Sequence, residues 1–538
     1  MIGADAIVKC LEKEGVTTLF GYPGVAICPF FNSILNTKIE SILVRSEQNA
    51  AHAASGYARV TGKVGVCVAT SGPGATNLLT GIATAYADSI PLICITGQVD
   101  SKLLGQDVFQ EADITGAAES FVKYSYLVKD VSDIPRIFKE AFHIATTGRR
   151  GPVLIDVPID IQNKQISGFK YPESVNMRTY KPTVKGHAVQ LKKVGKELEK
   201  AKKPLICAGG GVILSGAEKE LHDFSHRFNI PVVTTMMGIS SLSSDDPLYF
   251  GMIGNNGRSY ANRAMQESDL LIVIGARIAD RAVSSPDLVA ENTVLIHIDV
   301  DPAEIGKNVG PTIPIVGDIK HIFTDLLKDS ATCDFTEWVD TLNEYRRSEK
   351  KRKAPRRSYV DPAKFITSLS EQMDDNAVYV ADVGQNQMWS CMYYVSKSGR
   401  FLTSGGMGTM GYSIPAAIGA KKADKRRMVV AVCGDGSFQM SMNELATLIQ
   451  HDIPIKIIVF NNGYLGLVRE YQYNTYKANY SMVDLGTVPD LSRIAEAYGI
   501  PFVRLKNNNG MDEAIRKFLL AKGPGLMECL IDPMDCVR

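Results

Sequence analysis

The stretch MVVAVCGDGS (428–437), followed downstream by IKIIVFNNG (455–463), decides how this chain folds. Each begins as an apolar, largely β-branched run, interrupted only by Lys456 in the second. Such runs belong to strands buried on both faces, as in parallel sheets. Each then stops in small and polar residues: Gly434-Asp435-Gly436-Ser437 in the first, Asn461-Asn462-Gly463 in the second, with a helix-like segment between them. An acid and an amide therefore stand at the ends of two parallel strands. Asp435 and the side-chain oxygen of Asn462 are hard donors, suited to Mg²⁺ that keeps diphosphate oxygens in its shell. The glycines let backbone N–H groups approach those oxygens. The plain alternative is a tight strand–helix turn and an unrelated Asn-Asn-Gly turn. The spacing of the two motifs around a second β-branched run favours the metal–diphosphate reading.

The same rhythm extends outward. Val64–Thr70, Leu92–Thr96, Leu205–Ala208, Leu270–Ile274 and Val294–Val300 are further apolar runs separated by helical patterns. They predict βαβ units. Two stretches interrupt the rhythm: Gly168–Lys185, rich in Pro, Tyr and Lys, and Asp340–Pro362, which holds a basic run at 350–357. Reading both as connections predicts three α/β domains of the doubly wound, parallel-sheet type, at 1–167, 186–335 and 361–538. The basic run reads either as a nucleic-acid patch or as a solvated helix end and linker; no aromatic residue interleaves it before Tyr359.

Composition narrows the class. The chain has 538 residues, too many for one ordinary core. A formal net charge of +1 gives no global attraction to nucleic acid or acidic membranes. Ten scattered cysteines without a CxxC pair suit free thiols in a reducing compartment. The N-terminus, MIGADAIVKCLEKEGV, alternates apolar and charged residues like an amphipathic helix rather than a signal peptide, and no run is long enough to span a membrane. A cytoplasmic location is expected.

Two further segments carry chemistry-bearing residues. In the first block, Glu47 follows the β-like Ile42–Val44 and opens a small-residue helix, Ala50–Ala58. A glutamate there is ordinarily a solvated helix-start charge. In the middle block, Leu205–Ala208 runs into Gly209-Gly210-Gly211, and Gly275–Arg281 and His297–Pro302 follow. These suit a dinucleotide, with Arg277 near phosphate, Asp280 beside it, and Asp299 at a ribose or adenine edge. An α/β domain that has lost its ligand is the alternative.

The Gly434–Asn462 pattern resembles the GDG…NN signature of thiamine-diphosphate enzymes. GYARVTGKVGVCVATSGPGATNLLTGIATAYADSIPLICITGQ (56–98) resembles the acetolactate synthases almost residue for residue. The resemblance covers nearly the whole chain. It implies that Asp435, Asn462 and the Tyr464 carbonyl hold Mg²⁺, and that Gly384 and Gln385 touch the diphosphate with Gly434, Gly436, Ser437 and Gly463. Met410 would be the wedge under a bent cofactor, and the Gly408 carbonyl would accept from the ring's amino group. Glu47 would share a proton with the pyrimidine ring. Gln110 and Lys123 would join it as the catalytic set, in a channel lined by Phe109, Glu111 and Val25. Arg281 would grip the second keto acid, against a wall of Leu467 and Tyr471. The resemblance also implies bound FAD without a redox role, a homodimer or homotetramer with sites shared between subunits, and a small regulatory subunit. The expected activity is acetolactate synthase: pyruvate is decarboxylated and the two-carbon unit joins a second 2-keto acid.

The chain departs from the family at several positions. Val25 replaces a glycine, Glu470-Tyr471 replaces Gln-Trp, Ser46 and Asn386 replace histidines, and Ile253 stands for the histidine of Met-His-Gly. Val25 and Tyr471 are the features that favour a related C–C lyase instead, such as a cyclic-diketone hydrolase or a keto-acid decarboxylase.

Overall fold

The computed structural model describes residues 1–279, 289, 293–310, 312–328, 333–350, 352–486 and 489–537. They build three six-stranded sheets in which every described pairing is parallel. The central strands are buried, largely apolar runs, among them Gly65–Ala69, Leu92–Gln98, Leu270–Ile274 and Val429–Gly434, with helices packed on the faces. That is the condition under which a parallel sheet is stable.

The first sheet runs in the spatial order Glu40–Leu43, Thr18–Tyr22, Gly65–Ala69, Leu92–Gln98, Val153–Pro158, Tyr124–Leu127. The third repeats that winding with Arg400–Thr403, Val378–Ala381, Val429–Gly434, Lys456–Asn461, Gly525–Leu530, Phe502–Leu505. In both, the strand order reverses between the first and third strands in sequence. The middle sheet is wound differently: Tyr249–Met252, Val232–Thr234, Pro204–Ala208, Leu270–Ile274, Val294–Asp299, Thr312–Val316. Its reversal falls between its first and fourth strands, the arrangement of dinucleotide-binding sheets.

The first and third sheets share one apolar core. The helix Glu47–Thr61 crosses the helix Ser413–Ala423, and buried residues from Phe20 to Leu526 form a single cluster through that crossing. Gly56 faces the Ala416 backbone and Gly419 faces the Ala53 backbone, so the helices touch main chain to main chain.

The stretch 168–185 carries no helix or strand. The expected connection at 340–362 begins differently. Residues Thr336–Arg347 form a helix that buries Trp338, Val339 and Leu342 in the middle domain. Within the basic run, Arg352 pairs with Asp361 and Asp535, and Arg356 with Asp532. These arginines tie the connection to the C-terminal residues. The ten cysteines are free thiols, and no described helix is long and apolar enough to cross a membrane.

Candidate active site

In open α/β sheets ligands bind beyond the carboxyl ends of the strands, where the strand order reverses. In the third sheet that point lies between Val378–Ala381 and Val429–Gly434, which lead into Gly384-Gln385 and Gly434-Asp435. Asp435 opens the helix Asp435–Ser441, whose entry is closed by Gly434 N donating to Ser437 Oγ (3.0 Å). The Asp435 carboxylate accepts from Gly436 N (3.0 Å) and Gly463 N (2.7 Å). The second of these bonds locks the two motifs together across adjacent strands. Burial pushes the Asp435 carboxyl up to about 6 despite those bonds. A buried acid short of compensating charge favours a cation.

Asn462 Oδ1 accepts from Tyr464 N (3.0 Å), and Asn462 Nδ2 donates to Gln385 Oε1 (3.2 Å). Gln385 Nε2 donates to Glu470 Oε2 (2.9 Å) and to the Asp535 carbonyl (3.0 Å). Gly384 precedes its helix at φ +139°, a conformation that L side chains rarely adopt. The donors brought together here are a carboxylate, an amide oxygen and main-chain groups. They fit a hard divalent cation and a diphosphate.

The run Gly405–Gly411 lies beside this group. Gly408 has φ +64°, and the Met410 methyl lies 3.6 Å from where a side chain on Gly436 would begin. Two acids that sequence reading missed hold the run. Asp88, paired with Arg59 at 2.7 Å, accepts from Gly405 N (3.3 Å) and Gly406 N (2.7 Å). Asp382, held above the usual carboxylate range by burial, accepts from Gly411 N (2.9 Å) and Ser413 N (2.7 Å). A third missed acid, Glu444, accepts from Arg45 N and Asn49 Nδ2, both at 2.8 Å. For Asp382 the signal was present: it ends the apolar strand that leads into Gly384.

A second group gathers at the reversal point of the first sheet. Glu47 Oε2 accepts from Asn77 Nδ2 (3.0 Å), and Oε1 lies 3.3 Å from where a side chain on Gly74 would begin. Gly24 packs on Thr70, and Gly72 packs on the Gln110 backbone. Glu47, Gln110 and the segment before Val25 therefore share one face. Val25 and Phe109 stand 78% and 87% exposed, large apolar side chains that this chain alone leaves uncovered.

Lys123 is not brought to either group. Its ammonium donates to the Ile144 carbonyl, the Thr147 carbonyl (2.8 Å) and Tyr180 Oη (2.8 Å), which takes all three of its hydrogens. Burial lowers it to about 8. Leu467 leans on the third domain's core, while Tyr471 is exposed and meets the Tyr476 ring edge-on at 5.9 Å. Asp280 and Arg281 lie outside the described residues.

In the middle sheet, Gly209–Gly211 and Gly275–Arg277 flank the reversal point. Gly209 N and Gly211 N donate to the carbonyls of Ile274 (2.8 Å) and Gly275 (3.0 Å). Side chains at 209 or 211 would strike Gly275 or Ala276, so these glycines serve close packing as well as any approach by a ligand. Arg277 donates to the Ala87 carbonyl (2.7 Å). Asp299 is pushed up to about 6 by burial. The buried His297 Nδ1 has no hydrogen-bond partner among the described residues.

The comparisons agree with this layout. Residues 1–117 match the thiamine pyrophosphate enzyme N-terminal TPP binding domain, 191–326 the central domain, and 382–529 the C-terminal TPP binding domain. A protein named "Probable acetolactate synthase large subunit" from Methanocaldococcus jannaschii is 44% identical over 100% of this chain and 93% of its own length. The acetolactate synthase large subunit of Lactococcus lactis is 42% identical over 99% of this chain and 93% of its length. That of Haemophilus influenzae is 41% identical over 96% and 91%. With three domain models in order and full-length identity of this kind, the chain belongs to the acetolactate synthase large-subunit family of thiamine pyrophosphate enzymes.

Proposed function

We propose that this chain is the catalytic subunit of an acetolactate synthase: it releases CO₂ from pyruvate and joins the remaining two-carbon unit to a second 2-keto acid. With pyruvate as acceptor, two pyruvates and one proton give 2-acetolactate and CO₂; the proton ends on the acceptor's former carbonyl oxygen. The observation that carries this reading is the Gly463 N to Asp435 Oδ2 bond (2.7 Å), which unites both halves of the diphosphate motif at the sheet's reversal point. When bound, thiamine diphosphate supplies the electron sink for decarboxylation.

The chain's own residues do the rest. Asp435, Asn462 and the Tyr464 carbonyl would hold Mg²⁺. Gly384, Gln385, Gly434, Gly436, Ser437 and Gly463 would border the diphosphate. Gly408 and Met410 would shape the pyrimidine end, and Glu47 would hold the proton shared with its ring nitrogen. Arg281, Leu467 and Tyr471 are proposed for the acceptor. The exposed Val25 and Phe109 support a second copy of the chain closing the site, as a homodimer or larger, and the relatives' large-subunit names support a small regulatory partner. FAD is proposed for the middle sheet on the strength of its winding and of Arg277 and Asp299 beside the crevice.

The test is the product made from pyruvate with thiamine diphosphate and Mg²⁺. Acetolactate is expected, and acetaldehyde alone would make the chain a decarboxylase. A flavin absorption band in the purified protein is expected. Active protein without that band, unresponsive to added FAD, would remove the flavin.

A further inference from the structure

On the outer face of the middle domain, the helix Glu218–Phe228 carries His222 and His226 one turn apart. Residues four apart project from the same face of a helix. The two rings stack with centroids 4.1 Å apart and 28° between planes. Both turn their Nε2 atoms to one carboxylate oxygen: Asp246 Oδ2 lies 3.0 Å from His226 Nε2 and 3.8 Å from His222 Nε2. Asp246 is held in place, since its Oδ1 accepts from Leu248 N (2.9 Å) and its side chain is only 6% exposed.

We propose that His222, His226 and Asp246 form a binding site for a borderline divalent transition cation of the zinc class. The spacing supports it. Ligands at about 2.0–2.1 Å from a tetrahedral zinc stand about 3.3–3.4 Å from one another, and the two measured separations bracket that value. One atom from each of the three residues falls within 4.8 Å of the others. The ring of His222 also has an outer partner, with Nδ1 lying 3.4 Å from Asp223 Oδ1. A carboxylate behind Nδ1 fixes the tautomer that leaves Nε2 free to bind metal. Lys219 occupies the other Asp223 oxygen at 2.8 Å, which holds its ammonium on Asp223. Two imidazoles with one carboxylate select zinc, nickel or copper over Mg²⁺, which prefers oxygen donors alone. The cluster thus differs in kind from the group around Asp435.

Occupancy would clip the helix to the segment around Asp246. That segment also meets the third domain, where Ser244 N donates to the Ser396 carbonyl and Ser396 N to Ser244 Oγ, both at 2.8 Å. The cation would stiffen the junction between the middle and third domains.

The experiment uses chelator-treated holoenzyme saturated with Mg²⁺ and thiamine diphosphate, titrated with zinc by calorimetry and with cobalt by visible absorption. One zinc per chain is expected, with a tetrahedral cobalt spectrum. His222→Ala, His226→Ala and Asp246→Ala should each weaken zinc binding by about 100-fold or more, since loss of even an outer partner costs about 10–100-fold. Their activity without zinc should match the parent. Zinc binding of equal affinity and stoichiometry in the His222→Ala/His226→Ala double variant would overturn the proposal. So would a parent that binds no zinc beyond that variant's background.

Discussion

Gly419→Ala isolates the contact that joins the first and third domains. A side chain at 419 would fall on the Ala53 carbonyl oxygen, 2.7 Å from that residue's carbonyl carbon and 2.8 Å from Tyr57 N, where ordinary contact is 3.4–4 Å. These are backbone atoms inside the helix Glu47–Thr61, so no rotamer change relieves them. The helices must part, by roughly 1.5 Å, to restore normal contact. Two terms oppose each other. Alanine favours a helix over glycine by about 1 kcal/mol, whereas overpacking costs about 1–3 kcal/mol and occasionally more. Backbone against backbone belongs at the upper end, so a net loss of about 2 kcal/mol is expected. The same displacement moves the helix that begins with Glu47, and a misplacement of about 1 Å can cost about 10²-fold in rate. Urea unfolding and the initial rate of acetolactate formation are the assays. Because Gly56→Ala parts the same helices, the double variant should lose little beyond either single one. An unchanged or raised unfolding midpoint in Gly419→Ala, with parental rate, would refute the reasoning.

Glu47→Gln should lower turnover by about 10²–10⁴-fold, the usual worth of acid–base assistance, while calorimetry finds cofactor affinity retained. Asp435→Ala should lose Mg²⁺-dependent binding of thiamine diphosphate rather than slow turnover alone; unchanged affinity by calorimetry would remove Asp435 from the metal site. Asp156 is pushed up to about 7 by burial, with bonds from Thr96 (2.6 Å) and Gln98 (3.0 Å) only partly offsetting it. Between its unfolded value of 3.8 and about 7 the folded chain therefore holds the extra proton. Stability contributed by that proton is full below the unfolded value and lost as pH rises toward 7; Asp156→Asn should flatten that slope in urea titrations across the range. Tyr471→Trp should raise the share of 2-ketobutyrate taken as acceptor, since one methylene in an apolar pocket is worth about 10–200-fold at most; competition between the two keto acids measures it.

The diphosphate motif was legible because its whole signal is local. Apolar strands ending in Gly434-Asp435 and Asn461-Asn462 declare the sheet and put an acid and an amide at its strand ends within one βαβ unit. Asp88 was not legible, because a carboxylate at the end of an element looks solvated until its donors appear; Asp382, which directly follows an apolar strand, could have been found. The donors to Asp88 are Arg59 and the amides of Gly405 and Gly406, the latter contributed by another domain. The partners of Lys123 were hidden for the same reason: two acceptors come from the end of the helix Ile134–Thr146 and just beyond it, and the third is Tyr180 in the irregular stretch. The helix Thr336–Arg347 hid behind its polar face. Its buried residues, Trp338, Val339 and Leu342, are too few to show a period in a charged context. The shared winding of the first and third sheets is likewise a property of spatial order, which strand content does not carry.

The glycine crossing between Glu47–Thr61 and Ser413–Ala423, with Asp88 gripping the Gly405–Gly411 run, bears on how such chains can be recombined. A chimera that cuts between domains and imports the first one from a relative would bring a foreign helix surface against Gly419 and a foreign acid against Gly405. The heritable block is therefore discontinuous: the first domain together with residues 405–423. Grafts that move both pieces should assemble, and grafts that respect only the linkers should yield insoluble or inactive hybrids even at high overall identity.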